Sequence, residues 1–376
     1  MKCNVIIFLF TFCFIFSCKE NSSLIDNNYG DPQSLHKTEI DVSLDDECLN
    51  SYTLHDSFVY NNDDYLLTYN YITRNFDVFN ISKKTISYHI VLMPEGPNGI
   101  LNPTGVYVHS IDSIWVSTED RNISLIDSTG IVKERIKIPV SEETPLLMIN
   151  FTICTSKLYY NATRNSLFYL TFSVENEKYS YNVHEYSLTN HSVKKYPIRA
   201  TYDHDFRNSY GWKQFPNVTY NERSILYNFP IESNIYVIDL ASEVMSVFGG
   251  KSSYTANSVS KLTMPYDFSQ ADRHLCENVH FFEVLYDPIK KVYYRLHFDR
   301  IDYDFSANVY PLLFSKNMYL TVFNDKLEVV DETKLDRNKY GIYSCWGVFS
   351  QGFFIGKDNP YFTDINYEQL QIDVFR

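Results

Sequence analysis

Few side chains in this sequence have the types and spacing that catalysis or metal binding requires. Those that do occur in short, isolated clusters. Asp203-His204-Asp205 offers two carboxylates and an imidazole, which are groups that bind divalent metals. Adjacent residues of a strand point to opposite faces, however, and no third or fourth ligand can be named. Asp302-Tyr303-Asp304 carries two carboxylates in a polar segment, which is more typical of a surface than of a general acid and base. The sequence also lacks a nucleophile elbow, a His-Glu-x-x-His pair and a phosphate loop. We therefore predict no catalytic residue, no metal site and no cofactor.

The better candidate for recognition is the segment from Thr201 to Pro216. Aromatic planes beside polar groups suit a sugar or a peptide, and Tyr, Trp and Arg are enriched at binding hot spots. The candidate ligand-binding residues are Tyr202, Asp205, Arg207, Tyr210 and Trp212. The alternative is that Trp212 fills an interface in the core. The segment from Lys251 to Asn278, with Tyr266 and Arg273, is a second candidate.

The first eighteen residues predict an export signal that ends in a lipid-modified cysteine. A basic start is followed by an apolar run from Cys3 to Ser17, shorter than the roughly 20 residues that span a bilayer. Ile15-Phe16-Ser17-Cys18 resembles the lipobox of bacterial lipoproteins, although Phe16 is bulkier than the usual residue there. The resemblance implies that residues 1–17 are a signal peptide and that Cys18 carries the lipid. The alternative is an ordinary signal peptide with a cysteine there by chance.

Composition and charge limit the partners of the chain. Residues 18–37 are polar and rich in Asn and Ser, which predicts a flexible tether before a folded domain at 38–376. The formal net charge is −13, and it becomes −14 without residues 1–17 because Lys2 is the only charged residue lost. An acidic chain argues against nucleic acid and against unaided binding to an anionic membrane. The lipid chains on Cys18 would therefore supply the membrane contact.

The cysteines do not form a recognisable disulfide or metal pattern. Three of the seven belong to the expected signal and anchor. The other four, Cys48, Cys154, Cys276 and Cys345, are far apart, without the short spacing of a zinc or redox motif. One disulfide could form in an oxidising envelope. We favour four buried free cysteines that pack as small hydrophobes.

An aromatic-rich composition and a repeated hairpin predict an all-β fold. The chain holds 32 Tyr and 27 Phe against 12 Gly and 13 Pro, and aromatic residues favour sheets. A hairpin with a polar turn recurs with anchors at Tyr60, His109, Tyr160, Tyr220, Tyr286 and Ser350. A second hairpin follows each anchor, and the chain closes with Ile365 to Phe375. Two hairpins per repeat give four strands, which is one blade of a β-propeller.

These repeats predict a six-bladed β-propeller closed by an N-terminal strand. The last repeat lacks an outer strand, and the alternating segment from Ile40 to Leu44 is placed to complete it and close the ring. Seven blades is the alternative, because the segment from Lys251 to Asn278 is long and irregular. A large sandwich or two β-domains would also satisfy the composition, but nothing resembling a linker interrupts residues 38–376.

Glycine-containing motifs of the second repeat carry a family resemblance. Gly96-Pro97-Asn98-Gly99-Ile100 is followed by Pro103-Thr104-Gly105 and by Asp127-Ser128-Thr129-Gly130. This order resembles propellers of the NHL type, which have six blades. With the lipobox and the tyrosine hairpins, the whole chain resembles an uncharacterised family of Bacteroidetes propeller lipoproteins, known only as a domain of unknown function. The resemblance implies a fold and the anchor at Cys18, and no other functional residue.

These observations favour a non-enzymatic binding or scaffolding module in the cell envelope. We expect an outer-membrane lipoprotein, periplasmic or surface-exposed, whose partner is an envelope protein or a glycan. The alternative is a glycan-active hydrolase or lyase whose carboxylates come from several blades. A pocket on the propeller axis lined by convergent Asp, Glu, His and Tyr would favour the enzyme. An axis filled with apolar side chains would favour the binding module.

Overall fold

The fold consists almost entirely of antiparallel strands that run as successive four-stranded meanders. The computed structural model describes residues 24–139, 143–145, 157–176, 178–200, 210–262, 267–306, 308–342, 344–361 and 365–376. Strand β1 (Lys37–Ser43) precedes the first meander, which contains β2 (His55–Tyr60), β3 (Asp63–Asn70), β4 (Asn75–Asn80) and β5 (Thr85–Val91). The second contains β6 (Pro103–Ser110), β7 (Ser113–Thr118), β8 (Asn122–Ile126) and β9 (Val132–Lys137).

The later sheets follow the same plan. The third contains β10 (Thr144–Pro145), β11 (Tyr159–Asn161), β12 (Ser166–Glu175), β13 (Lys178–Ser187) and β14 (Val193–Ile198). The fourth contains β15 (Asn217–Tyr220), β16 (Ser224–Asn228), β17 (Ile235–Asp239) and β18 (Met245–Phe248). The fifth contains β19 (His280–Asp287), β20 (Val292–Phe298), β21 (Met318–Phe323) and β22 (Val329–Lys334). The chain ends with β23 (Trp346–Phe349), β24 (Gly352–Gly356) and β25 (Gln369–Phe375).

The hairpins predicted at the repeat anchors are confirmed by the strand pairing. In the first, Tyr60 pairs with Asp63, and the two turn residues Asn61 and Asn62 have φ of 50° and 65°. Two central residues with positive φ give a turn whose twist matches that of the strands, and asparagine tolerates this backbone better than most residues. The polar turn therefore fixes the register of the apolar residues on both sides.

Two short helices interrupt the strands. Helix α1 (Phe268–Glu277) lies within the segment that the sequence predicts as an irregular loop, and helix α2 (Val309–Phe314) lies between β20 and β21. The Asp267 side chain accepts a hydrogen bond from the Ser269 backbone N–H and caps the first turn of α1. Sequence analysis missed α1 because a single ten-residue helix inside a polar loop gives little periodicity.

The first strands of consecutive sheets contact one another in a closed ring. Asp56 of β2 accepts a hydrogen bond from the Val108 N–H of β6 at 2.7 Å, and the Ser57 hydroxyl donates to the Val348 carbonyl of β23 at 2.9 Å. The other contacts, in order round the ring, are Tyr107–Tyr159, Tyr159–Tyr220, Thr219–Val284 and Phe282–Trp346. A ring of first strands with the meanders radiating outward is the architecture of a β-propeller.

The hydrophobic core is divided into layers between neighbouring sheets. Between the first two sheets, Leu67 and Val78 pack with Val106 and Val116, and all four are buried. Each sheet can therefore bury apolar side chains on both faces against its neighbours. This division explains how the fold escapes the size limit of roughly 250–300 residues for a single core.

The N-terminal strand completes the last meander. Strand β1 pairs antiparallel with β25 from Lys37–Phe375 to Ser43–Gln369, as the sequence analysis expects. Strand β1 pairs with β5 at a single parallel bridge between Ser43 and Thr85. Strand β1 thus shares a ladder with β25 of the last meander. The same strand continues along the chain into β2, so it links the last meander to the first.

Residues 24–36 are packed against the fourth and fifth sheets. The Ile25 N–H donates to the Asn234 side chain at 2.9 Å, and the Gly30 N–H donates to the Val329 carbonyl at 3.0 Å. The Asn27 side-chain amide donates to the Lys251 carbonyl at 2.8 Å. The polar composition of this stretch predicts that it belongs to the tether. Its polar groups instead hydrogen-bond to the domain, so the part of the expected tether beyond residue 23 is bound to the fold.

Replacing Val42 by alanine tests whether β1 stabilises the whole domain. Val42 is fully buried among residues of the first and last meanders. We expect Val42→Ala to lower the free energy of unfolding by about 2 kcal/mol, because it removes buried methyl groups and leaves a cavity. The matched control is Ser43→Ala on the exposed face of the same strand, which should change it by less than about 0.5 kcal/mol. Equal effects of the two variants in urea unfolding would contradict this role of β1.

Candidate functional site

A cavity of about 930 Å³ lies on the propeller axis. Residues from each of the strands β2, β6, β11, β15, β19 and β23 line it. The exposed residues Glu222 and Arg223, from the turn between β15 and β16, also belong to its wall. Because these first strands surround the axis, the cavity is the axial channel of the propeller, with polar residues of a hairpin turn among its lining.

Three tyrosines form a row along one side of the cavity. The rings of Tyr107 and Tyr159 meet edge to face with centroids 5.0 Å apart. Those of Tyr159 and Tyr220 stack at 5.5 Å with an interplanar angle of 8°. Burial raises the pKa of Tyr159 to about 12 and also raises the pKa values of Tyr107 and Tyr220. All three phenols therefore keep their protons at neutral pH and can donate hydrogen bonds.

The Tyr220 hydroxyl is buried and has no hydrogen-bond partner among the described residues. Buried hydroxyl groups are seldom left unpaired, because the loss of their contact with water is unfavourable. Tyr220 lines the cavity, so this unpaired donor lies next to the space that a ligand would occupy.

Asp56 lies on the cavity wall but uses both carboxylate oxygens within the protein. One oxygen accepts the Ser57 N–H at 3.0 Å, and the other accepts the Val108 N–H at 2.7 Å. Burial raises the pKa of Asp56 to about 6, although the positive charge of Lys157 and the two N–H groups act in the opposite direction. Its first role is therefore to join the first sheet to the second.

Asp287 is a second carboxyl of the cavity, and it is fully buried. One oxygen accepts the N–H groups of Ile289 and Lys290, both at 2.9 Å, and so closes the turn after β19. The other oxygen has no partner among the described residues. Burial raises the pKa of Asp287, and the nearby negative charge of Asp64 adds to that effect.

The predicted recognition segment contributes nothing to this cavity in the described part of the chain. Tyr202, Asp205 and Arg207 lie outside the described residues, as do Asp203, His204 and Tyr266. The prediction for Tyr210 is wrong, because this side chain is 6% exposed and belongs to the hydrophobic core of the third and fourth sheets. The backbone of Trp212 lies in a short 3₁₀ helix, Gly211–Lys213.

The other residues singled out by the sequence lie on the surface or in the core. Asp302 pairs with Arg300 at 3.0 Å, and both side chains are largely exposed. Arg273 pairs with Glu277 on the surface of α1. The cysteines Cys48, Cys276 and Cys345 are free; the last two are buried, whereas Cys48 is only half-buried. Cys18 and Cys154 lie outside the described residues.

Sequence reasoning missed the axial residues because they come from positions between 56 and 350. One signal was present in the repeat itself. The tyrosines at or next to the turn anchors, Tyr159, Tyr220 and Tyr286, all line the cavity. A residue type that recurs near the same turn in several repeats is brought to the axis by the symmetry of the fold.

Together, the ring of first strands and the lined channel define a β-propeller with an axial pocket. The chain belongs to the family described as Domain of unknown function (DUF4221), whose model matches residues 34–334. The match confirms the resemblance to a family known only as a domain of unknown function. None of the helices in the described part of the chain is long and apolar enough to span a membrane.

Two crystal structures from Bacteroides species are similar to the fold. A member of the DUF4221 family from Bacteroides vulgatus has a TM-score of 0.78 at 20% identity, covering 91% of this chain and 98% of that one. A candidate exported protein from Bacteroides fragilis has a TM-score of 0.54 at 12% identity, covering 93% of this chain and 98% of that one. At these identities the similarity shows the fold alone. No curated protein matches the chain.

The pKa of Asp56 predicts a pH dependence of stability. Its value of about 6 in the folded chain exceeds the ordinary 3.8, so the folded state holds this proton more tightly than the unfolded state. The stabilisation present at low pH is lost as the pH rises from about 4 to about 6. The loss is at most roughly 3 kcal/mol, because water in the cavity weakens the effect of burial. We expect Asp56→Asn to remove that part of the decline in urea unfolding across this range. Parallel curves for the two proteins would show that Asp56 titrates normally.

Proposed function

We propose that this protein is a non-enzymatic binding module, a six-bladed propeller that holds its ligand in the axial cavity. The observation that carries the proposal is the cavity itself, which is open, partly polar and lined by the tyrosine row. Six first strands in one ring, with β1 completing the last meander, support the number of blades.

The lining suits a glycan. Tyrosine rings offer apolar faces to sugar rings, and the surrounding polar groups can bind hydroxyls. Lys157 and the exposed Glu222 and Arg223 supply charges of both signs, and the Tyr220 hydroxyl supplies an unpaired donor. Of the predicted loop residues, Tyr202, Asp205, Arg207 and Trp212 remain a separate candidate surface for an envelope protein, whereas Tyr210 is buried in the core.

We also propose that lipid on Cys18 holds the propeller in the cell envelope, at the outer membrane. Support comes from the lipobox pattern and from the similarity to a candidate exported protein. In this proposal residues 1–17 are the signal peptide, and the stretch from Cys18 to residue 23 joins the lipid to a segment that is bound to the fold. The acidic net charge argues against a nucleic-acid partner.

A glycan-active enzyme is the second candidate. The axis is not filled with apolar side chains, and Asp56, Asp287, Glu222 and the tyrosines meet there, which is the arrangement that favours an enzyme. Raised pKa values of buried carboxyls are also typical of a general acid. We rank the binding module first for two reasons. Backbone N–H groups donate hydrogen bonds to both oxygens of Asp56 and to one oxygen of Asp287. The third carboxylate, Glu222, is exposed.

A thermal-shift screen against a panel of glycans tests the proposal. A ligand present at a hundred times its dissociation constant should add about 2.7 kcal/mol to stability. We expect Tyr220→Phe to weaken binding of the glycan that responds by roughly 3- to 10-fold, because one hydrogen bond is lost. The unliganded variant should be as stable as the parent, since the hydroxyl has no partner within the described residues.

The matched control is Tyr367→Phe, which removes a hydroxyl from an exposed tyrosine outside the cavity. It should leave the affinity unchanged. Equal affinity of the Tyr220→Phe variant and the parent would exclude this hydroxyl from the site. Release of shorter sugars from a bound glycan, abolished by Asp287→Asn, would place the enzyme first.

A further inference from the structure

A second polar cluster lies away from the axis, where the chain passes from β1 to β2. Asp45 and Cys48 belong to this connection, and His89 lies on β5. A carboxylate oxygen of Asp45, the Cys48 Sγ and a ring nitrogen of His89 all lie within 4.8 Å of one another. The Asp45 Oδ2 and the His89 Nε2 are 3.1 Å apart.

A buried carboxylate behind His89 fixes the orientation of the imidazole. Asp77 on β4 is fully buried, and its Oδ1 lies 2.7 Å from the His89 Nδ1. Its Oδ2 accepts hydrogen bonds from the Tyr52 hydroxyl at 2.6 Å and from the Asn70 side-chain amide at 3.0 Å. The ring is therefore held with Nδ1 toward Asp77 and Nε2 toward Asp45. A carboxylate that orients a histidine in this way is the usual support of a metal-binding imidazole.

The connection itself is also organised around the cluster. Asp45 Oδ1 accepts the N–H groups of Glu47 and Cys48, both at 3.1 Å. These bonds form a tight turn that places the thiol beside the carboxylate. The other oxygen of Asp45 stays directed toward His89. Side chains from a turn and a strand thus converge, each held by its own hydrogen bonds.

We propose that Asp45, Cys48 and His89 bind one Zn²⁺ ion. Thiolate sulfur, imidazole nitrogen and carboxylate oxygen are all ligands of zinc, and three protein ligands leave a fourth position for water. On binding, the Cys48 thiol releases its proton to solvent, and His89 binds through Nε2 while its Nδ1–H donates to Asp77. This site is independent of the axial cavity and of the function proposed for it.

The ion would join the connection after β1 to the first meander. Asp45 and Cys48 follow the strand that completes the last meander, whereas His89 belongs to the first. The ion would therefore reinforce the ring at the point where β1 and β5 share only one bridge. The competing account is a hydrogen-bonded network without metal, in which Asp45 and Asp77 both pair with His89.

Cobalt and zinc titrations of the untagged purified protein distinguish these accounts. We expect one equivalent of Co²⁺ to produce a sulfur-to-cobalt charge-transfer absorption band, which one equivalent of Zn²⁺ removes. Cys48→Ser should abolish the band, and His89→Gln and Asp45→Asn should weaken Zn²⁺ binding at least tenfold. Asp77→Asn should weaken it roughly 10- to 100-fold, as loss of a supporting carboxylate does. Cys276→Ala and His191→Gln remove a thiol and an imidazole elsewhere, so they should bind as the parent does.

A measurement on the unaltered chain covers the case in which a variant fails to fold. Cys48 is half-buried, so iodoacetamide can reach it, and a mildly alkaline buffer raises the thiolate fraction that reacts. Peptide mass spectrometry then follows the alkylation rate. We expect Zn²⁺ to slow alkylation of Cys48 at least tenfold and a chelator to restore it. An unchanged rate with Zn²⁺, or a cobalt band that survives Cys48→Ser, would overturn the proposal and leave the metal-free network.

Discussion

The structure depends on side chains of the innermost strands that bond to the backbone of the neighbouring sheet. Asp56 binds the Val108 N–H, Ser57 binds the Val348 carbonyl, and Thr219 binds the Val284 carbonyl at 2.6 Å. The strands of one sheet pair with each other, and these three side chains connect one sheet to the next at the axis. A carboxylate or hydroxyl at these positions keeps the sheets in register round the ring and leaves a channel between them.

The same connections explain why charged and aromatic groups collect on the axis. Asp56 is half-buried where it reaches its partner, and the loss of contact with water raises its pKa. The tyrosines of β6, β11 and β15 contact one another across sheet boundaries, so they contribute both to stability and to the cavity wall. The residues that hold the ring together are therefore the residues that a ligand in the channel would meet.

Closure by β1 gives the N-terminal region a structural role. Its ladder with β25 joins the ends of the chain, and the preceding segment is bound to the fourth and fifth sheets. An anchor at Cys18 would then be only a few residues from the folded domain. The proposed zinc site follows β1 directly, so the start of the domain, the closure of the ring and the metal cluster lie along one short stretch of chain.

The sequence by itself determined the repeated hairpins, the completing strand and the class of fold. These follow from local physics: polar turns such as Asn61-Asn62, and apolar residues that alternate beside them, are set by neighbours along the chain. Only the tertiary structure decided the candidate sites. The cavity gathers side chains from residue 56 to residue 350, and the cluster joins Cys48 to His89 across the connection between two meanders. The loop residues favoured by the sequence were aromatic and polar, but composition does not show which surface they face. Contacts between blades depend on how the ring closes, and no spacing along the chain carries that information.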